Sequence, residues 1–302
     1  MPKLKRVVVA APAKINVSLQ VGPLQSDGFH PVETVYQAVD LFDDVIASVG
    51  SGITLTVEGA YADQVGPVEK NLAYRAATLL AASAGIDANV HLHIVKRIPV
   101  AGGMAGGSAD AAGALIACDA LWGLQTPREK LLELAATLGS DIPFSVVGGT
   151  AIGRGRGEQL TTVLTRGDFH WVFAASDAGL STPEVYRAFD AANDNAQQPA
   201  VSEELLAALV QGDVKAVGNL LSNNLQEPAF SLRGSLRRVI TAGMQAGALG
   251  GIVSGSGPTC AFLAKSEDHA TSLAVELSAS GVVSRTFTAR GPVKGAAVIS
   301  VE

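Results

Sequence analysis

The sequence has little of three features that would each point to a class of protein. It contains 2 cysteines in 302 residues, too few for the disulfide framework of a small secreted domain. Charged residues make up 17% and the net charge is −6, which argues against a surface that binds nucleic acid or an anionic membrane through clustered Lys and Arg. No apolar run approaches the ~18 residues of a membrane span. We therefore expect a soluble cytoplasmic protein with neither nucleic acid nor a membrane as its partner.

What the sequence does contain is apolar material and glycine. Hydrophobic residues make up 48%, enough for a real core. Glycine accounts for 33 of the 302 residues, a larger share than the usual value of about 7%. Cys118 and Cys260 stand in apolar surroundings, so we expect both to be core residues in a reducing compartment. The length fits one large domain or two modest ones.

Strand and helix patterns mix along the chain without strict alternation, which favours an α+β fold. The stretch 7–21 is strand-like, and its second half alternates, so that Lys14 and Asn16 share a polar face about 6.6 Å apart. Helical spacing covers 71–84, with Gly85 as the stop. The composition changes near residue 165, which predicts an N-terminal domain of residues 1–165 and a C-terminal domain of residues 166–302.

A glycine-rich loop at 102–107 separates a strand from an alanine-rich helix predicted from about Ser108 to Trp122. Glycine lets the backbone close on a ligand, and the first amides of a helix lack internal partners. Together with the helix dipole they stabilise an anion, so the pattern is typical of a phosphate site. The loop lacks the Lys-Ser/Thr of a Walker A sequence and the glycine spacing of a dinucleotide site. A flexible glycine hinge is the alternative.

The stretch 99–112 resembles the phosphate loop of the GHMP kinases, the family of galactokinase and of the homoserine, mevalonate and phosphomevalonate kinases. Further stretches that match this family in the right order are 11–16, 27–30, 138–144 and 254–259. The resemblance covers nearly the whole chain. It implies two α+β domains, with ATP bound in the N-terminal domain and the active site in the cleft between the domains.

The same resemblance implies an activity and a set of ligands. The expected reaction is ATP-dependent phosphorylation of the 2-hydroxyl on the methylerythritol part of a cytidine diphosphate compound, in the non-mevalonate isoprenoid route. Mg²⁺ is expected to arrive with ATP, held mostly by phosphates and water.

A kinase of mevalonate or homoserine is the nearest alternative function, and a non-catalytic nucleotide-binding protein is another. The residues expected to bind ATP are Pro99, Val100, Ala101, Gly102, Gly103, Met104, Ala105, Gly106, Gly107, Ser108 and Ala109.

Two residues match the catalytic pair of the family. Asp141 is expected to take the proton of the substrate hydroxyl, a poor nucleophile unless a base lies within hydrogen-bond distance. Lys14 is expected to hold Asp141 ionised, activate the hydroxyl or steady the transferring phosphoryl group. From the residues alone, Asp141 could equally cap a turn or helix, and Lys14 could be a solvated strand lysine.

Other residues match the substrate side of the family. Phe29 stands where the family usually has Tyr, and it is expected to stack on the cytosine, while a ring nitrogen of His30 bonds to the base. Gly255, Ser256 and Gly257 are expected to line the cleft near the phosphates, although alone they read as a tight turn. Tyr186 could also be an ordinary half-buried helix residue. The residues expected to bind the substrate are Asn16, Phe29, His30, Thr182 and Tyr186.

Several positions depart from the family or remain unassigned. Ala105 replaces a glycine of the loop and Ala109 replaces its second serine, so that one hydroxyl, on Ser108, remains for a phosphate or its metal ion. Asp110 is a Mg²⁺ candidate by proximity alone, and no metal site of the protein's own is predicted. His91 and His93 share one face of a strand and could bind a metal ion, but the sequence shows no third metal ligand nearby, so we expect a solvated or hydrogen-bonded face. The glycines at 148–157 are assigned only to turns. For the oligomeric state, the sequence is compatible with a monomer and with a weak homodimer.

Overall fold

A computed structural model describes residues 4–176, 179–193 and 195–302. Residues 1–3 of the predicted first domain lie outside this part. In chain order the strands are β1 Arg6–Val21, β2 Val32–Ser48, β3 Ile53–Gly59, β4 Val90–Lys96, β5 Thr150–Arg154, β6 Gln159–Thr162, β7 Phe169–Ala175, β8 Ser222–Asn223, β9 Gly250–Val253, β10 Cys260–Ala264, β11 Arg285–Gly291 and β12 Ala297–Val301.

Helices alternate irregularly with these strands. Two single 3₁₀ turns, Ala62–Gln64 and Val68–Lys70, precede the first α-helix. In chain order the α-helices are α1 Leu72–Ala84, α2 Gly106–Trp122, α3 Arg128–Leu138, α4 Ile142–Val147, α5 Thr182–Ala192, α6 Glu203–Gln211, α7 Val214–Asn219, α8 Gln226–Leu232, α9 Ser235–Gln245 and α10 Glu267–Ala279.

The strands form two sheets. The larger one has the order β12-β1-β2-β4-β3, with β5 beside β2, β6 beside β5, and β8 beside β1. The smaller one has the order β11-β7-β10-β9. Segregated sheets of mostly antiparallel strands with helices packed on them confirm the predicted α+β class.

Strands β1 and β2 are long and antiparallel, and they carry the polar face that the sequence predicts. Asn16 lies opposite Tyr36 and Lys14 opposite Ala38, with a register shift between Asn16 and Ser18. Ile15 on the other face is fully buried, but Lys14 is also only 4% exposed. Both faces are therefore covered, because the polar face forms the floor of a cleft instead of an open surface.

Helix α2 is the central helix of the N-terminal half. Most of its residues are small or apolar and buried, and it packs against α1, β1 and β2, as expected of a helix that is covered on most sides. A Cβ on Gly113 would lie 2.6 Å from Val45, so glycine sets how closely the helix approaches the sheet. The helix begins at Gly106, two residues before the predicted start. Gly106 and Gly107 therefore belong to its first turn.

Local signals set the bounds of α1. The Asn71 side chain accepts a hydrogen bond from the amide of Ala73, and Gly85 ends the helix with a φ of 64°. Both agree with the predicted helix over 71–84.

The C-terminal end of the chain returns to the N-terminal sheet. Strand β12 pairs antiparallel with β1, with Val7 opposite Val301. The domain boundary at residue 165 stays a prediction. The pairing of β12 with β1 joins a strand of the predicted C-terminal domain to the sheet of the predicted N-terminal domain. Cys118 and Cys260 are free and buried, as expected. Among the helices of the described chain, none is long and apolar enough to cross a membrane.

Candidate active site

The glycine loop is held between β1 and the segment 254–259. The Lys14 amide donates to the Met104 carbonyl at 3.2 Å, and the Ser254 hydroxyl donates to the Gly103 carbonyl at 2.9 Å. Gly103 has a φ of 78°, and a Cβ there would lie 2.2 Å from the Ser254 carbonyl oxygen. Only glycine fits this position, so the loop is clamped and is not a free hinge.

Two alanines of the loop occupy the left-handed region that favours glycine. Ala101 has a φ of 52° and Ala105 a φ of 58°. This conformation costs a non-glycine residue about 1–2 kcal/mol. Ala105, which replaces a family glycine, thus keeps the backbone shape at the start of α2 at the expense of strain.

Lys14 lies beneath this loop. Its Nζ donates to the Asn16 Oδ1 at 2.6 Å and to the Gly103 carbonyl at 3.0 Å. The Asn16 amide in turn donates to the Thr34 hydroxyl at 2.8 Å. Both polar atoms of Asn16 are therefore used to orient Lys14, and the ammonium is a buried cation fixed at the glycine loop rather than a solvated strand lysine.

Asp141 faces Lys14 across the cleft. Its Oδ2 lies 3.7 Å from Lys14 Nζ, and its Oδ1 accepts a 2.9 Å hydrogen bond from the Tyr36 hydroxyl. Asp141 occupies the N-cap position of α4, but its side chain makes no capping bond. The geometry thus rejects the capping alternative. Burial, together with the charge of Asp141, raises the pKa of Tyr36 well above its ordinary value, so the phenol remains a donor.

A cleft of about 470 Å³ joins these groups. It is lined by Lys14, Asn16, Asp141, Thr182, Tyr186, Gly255, Ser256 and Gly257, and by seven residues of the loop region, Ala101, Gly102, Gly103, Ala105, Gly106, Gly107 and Ser108. The Thr182 and Ser256 hydroxyls are hydrogen-bonded at 2.7 Å, which ties the start of α5 to the segment 254–257.

Four of the residues predicted to bind ATP do not line this cleft: Pro99, Val100, Met104 and Ala109. Met104 and Ala109 are fully buried in the core cluster that also contains Ile15 and Ile98. Their side chains fix the loop from behind. Of the stretch predicted to bind ATP, the part that faces the cleft is therefore the exposed part of the loop and the first turn of α2; the binding itself stays a prediction.

A buried ion cluster lies directly behind the first turn of α2. Lys96 forms ion pairs with Asp43 and, at 2.8 Å, with Asp110, and Asp43 also accepts the amide of Ile98 at 2.8 Å. A Cβ on Gly106 would lie 2.9 Å from Lys96 Nζ. Asp110 therefore faces Lys96 and not the cleft, which removes the side chain from the Mg²⁺ candidates. Burial raises the pKa of Asp110 to about 7, against the opposing effect of Lys96.

A second pocket, of about 510 Å³, adjoins the cleft and contains Phe29 and His30. Phe29 is 50% exposed and His30 is buried. The His30 Nδ1 lies 2.8 Å from the Gly22 carbonyl, to which it donates, and Nε2 lies 3.3 Å from Asp190. The ring of Tyr186 packs 5.1 Å from that of His30. Nδ1 is thus occupied by a backbone carbonyl, and the ring-nitrogen contact with a base, which stays a prediction, falls to Nε2 beside Asp190.

Comparison with known proteins shows the family to which this chain belongs. The family model for the GHMP kinases N terminal domain matches residues 71–149, and the model for the GHMP kinases C terminal domain matches residues 205–283. The 4-diphosphocytidyl-2-C-methyl-D-erythritol kinase of Thermobifida fusca is 52% identical over 301 residues, which cover 97% of this chain and 98% of that protein. The chain belongs to the GHMP kinase family.

Solved structures support the same family. A crystal structure of 4-(cytidine 5'-diphospho)-2C-methyl-D-erythritol kinase is 34% identical with a TM-score of 0.77, and the match covers 94% of this chain and 98% of that one. The homoserine kinase of Cytophaga hutchinsonii also has a TM-score of 0.77, at 19% identity and with 98% of each chain covered. At that identity the likeness shows the fold alone. The backbone is therefore common to several GHMP kinases, and side chains must distinguish their substrates.

Sequence reasoning missed three features of this GHMP kinase. Tyr36 and Arg156 line the cleft, and Lys96 underlies the glycine loop. The alternation of β2 and the cluster of glycines around Arg156 were visible signals, but neither identifies a partner. His91 and His93 bond instead to hydroxyls of Thr54 and Thr56 on β3. In the described residues, no group of three His, Cys, Asp or Glu side chains is placed to hold a metal ion.

Proposed function

We propose that this enzyme transfers the terminal phosphoryl group of ATP to the 2-hydroxyl of 4-diphosphocytidyl-2-C-methyl-D-erythritol, as its relatives' names describe. The observation that carries the proposal is the convergence of a cation, a carboxylate and a glycine cradle in one cleft. Lys14 Nζ lies 3.0 Å from the Gly103 carbonyl and 3.7 Å from Asp141 Oδ2. These parts suffice for phosphoryl transfer, which depends on positioning and charge stabilisation.

The loop and the first turn of α2 are suited to the phosphates of ATP. Gly106, Gly107 and Ser108 line the cleft where the first amides of α2 lack helical partners. Those amides and the helix dipole favour an anion. The clamp on Gly103 keeps this arrangement in place before the nucleotide binds, so little ordering of the loop opposes binding.

Asp141 and Lys14 divide the chemistry between them. Tyr36 occupies Oδ1 of Asp141, which leaves Oδ2 to accept the hydroxyl proton. The hydroxyl oxygen forms the new bond to the terminal phosphorus, the bond from phosphorus to the bridging oxygen breaks, and ADP leaves. Lys14 is positioned to stabilise the negative charge that develops on the attacking oxygen or the phosphoryl group.

Mg²⁺ is assigned to ATP rather than to a protein site. Ser108 presents a hydroxyl to the cleft, while Asp110 is paired with Lys96. A cation bound through one hydroxyl must take most of its ligands from phosphate and water, as Mg²⁺ commonly does. It supplies charge neutralisation of the phosphates when bound.

The adjoining pocket is suited to the cytosine. Phe29 offers an exposed ring face, and Tyr186 brings a second aromatic ring from α5 close to His30. Stacking holds a base, and His30 Nε2 is a directional contact. A kinase of mevalonate or homoserine has no base to place there. This pocket therefore favours the cytidine compound over those substrates.

The remaining proposals concern the organisation of the protein. We propose that residues 1–165 and 166–302 form its two domains. We propose further that the protein is a monomer or a weak homodimer. The two free, buried thiols of Cys118 and Cys260 support a cytoplasmic location.

A coupled assay of ADP release tests the reaction. Turnover is expected with the cytidine substrate and not with mevalonate or homoserine. The Asp141→Asn variant, purified in the same way, controls for contaminating kinases, and its kcat is expected to fall by about 10²–10⁴. Turnover of mevalonate or homoserine instead, or ATP binding without turnover of any of the three, would overturn the proposal.

A further inference from the structure

The turn between β5 and β6 brings a cation to the cleft. This turn has the sequence Gly153-Arg-Gly-Arg-Gly157, and sequence analysis assigned it no role. The guanidinium carbon of Arg156 lies 4.6 Å from the ring centroid of Phe29. Arg156 lines both the cleft that contains Lys14 and Asp141 and the pocket that contains Phe29 and His30. It therefore lies where the two cavities meet.

Within the described part of the chain, Arg156 has an aromatic contact but no acidic partner. Its guanidinium forms no ion pair with any carboxylate of the described chain, and its backbone amide donates to Glu158. Arg154, in the same turn, is instead paired with Glu33, which accepts from Nε at 2.9 Å. The turn thus presents one neutralised arginine and, beside the cavities, one arginine with no counter-ion among the described residues.

The chemistry of the proposed substrate places an anion at this position. Its cytosine is assigned to the pocket of Phe29, and its reacting hydroxyl to Asp141. A diphosphate joins those two ends, so it must cross the junction that Arg156 lines. A guanidinium binds phosphate oxygens through paired N–H donors with matching geometry. The Phe29 ring restrains the guanidinium through a cation–π contact, which lowers the entropy lost on binding.

We infer that Arg156 binds the diphosphate of the cytidine substrate and so selects nucleoside diphosphate compounds over uncharged ones. This inference rests on the proposed function. It assigns Phe29 two tasks, since the ring supports the guanidinium as well as facing the base. The glycine-rich turn would then serve to place the guanidinium of Arg156 at the cleft.

Calorimetric titration with cytidine and with CDP tests the inference. In Arg156→Gln the Kd for CDP is expected to rise about tenfold or more, while the Kd for cytidine stays within twofold of wild type. The CDP affinity of the wild type should also fall more steeply with salt than that of the variant. In steady-state kinetics, KM for the cytidine substrate should rise while KM for ATP is unchanged.

The matched control is Arg154→Gln, which removes a neighbouring arginine of the same turn and should leave both affinities unchanged. Melting temperatures of both variants check that they are folded. Equal CDP affinity in wild type and Arg156→Gln, or equal loss of CDP and cytidine binding, would overturn the inference while the proposed function stood. A wild-type protein that binds neither cytidine nor CDP would overturn the proposed function and the inference with it.

Discussion

The Tyr36 hydroxyl donates a 2.9 Å hydrogen bond to Asp141 Oδ1, while Asp141 Oδ2 lies 3.7 Å from Lys14 Nζ. The two carboxylate oxygens therefore have different partners. The tyrosine fixes the rotation of the carboxylate. The Tyr36 ring fits at this position because Gly153 and Gly157 have no side chains. A Cβ at Gly157 would lie 2.4 Å from the Tyr36 hydroxyl oxygen, and one at Gly153 would lie 2.6 Å from its ring.

Removal of this hydroxyl should affect catalysis more than binding. In Tyr36→Phe the ring can keep its stacking on Phe144, whose centroid is 4.8 Å away, but Asp141 loses a donor. A hydrogen bond to a charged group contributes about 1.5–3 kcal/mol, so kcat should fall roughly tenfold or more, with both KM values within about twofold. Because Tyr36 acts through Asp141, the substitution should have little further effect in an Asp141→Asn background. Additive losses in this double-mutant cycle would contradict the role.

His30 should contribute to the affinity for the cytidine substrate alone. His30→Ala removes a side chain that touches Gly22, Asp190 and Tyr186, none of which lies in the glycine loop. We expect KM for the cytidine substrate to rise roughly tenfold, which corresponds to about 1.4 kcal/mol, while KM for ATP does not change. Steady-state kinetics with each substrate varied in turn measures this. A parallel rise in both KM values would place His30 outside the base pocket.

The clamp on the glycine loop predicts a large effect of a single methyl group. Gly103→Ala adds a Cβ 2.2 Å from the Ser254 carbonyl oxygen at a φ of 78°, so the loop must shift. We expect KM for ATP to rise by more than tenfold. Gly85→Ala is the matched control, because it has a φ of 64° with nothing within 4 Å of the added Cβ. It should lower stability by about 1 kcal/mol without any change in KM, as checked by thermal unfolding; an equal KM effect in both variants would argue against the clamp.

The buried cluster behind the loop predicts a pH dependence of stability. Burial raises the pKa of Asp110 to about 7, so between about pH 4 and pH 7 the folded protein holds a proton that the unfolded chain has released. The contribution of Asp110 to the free energy of unfolding is therefore full below pH 4 and is lost as the pH rises through 7. Asp110→Asn removes this component, so its stability relative to wild type should increase from pH 5 to pH 8, by roughly 2–3 kcal/mol at about 1.4 kcal/mol per pH unit between pH 5 and the folded pKa.

Chemical denaturation at several pH values measures this difference. Asp87→Asn, at an exposed aspartate, serves as the control and should show no such trend. A difference between wild type and Asp110→Asn that does not vary with pH would contradict the assignment.

Local features of the chain were predictable because their causes lie within a few residues. Asn71 and Gly85 end α1 through a capping bond and a left-handed φ, and both signals are written in the sequence. The alternation that puts Lys14 and Asn16 on one face follows from the strand geometry. The glycine loop before α2 predicted an anion site for the same reason, since glycine content and helix ends are local properties.

The sequence by itself thus determined the α+β class, the bounds of several elements and, through the family resemblance, the pair Lys14 and Asp141. Only the tertiary structure decided which partners those residues have. Tyr36 reaches Asp141, 105 positions away, because α4, which follows Asp141, packs on the sheet next to β2, with Phe144 stacked on Tyr36. Asp110 turns to Lys96 because α2 packs against the sheet. These contacts depend on how elements distant in sequence pack together. The periodicity of a helix or strand predicts which of its faces is buried, but not which other element packs against that face.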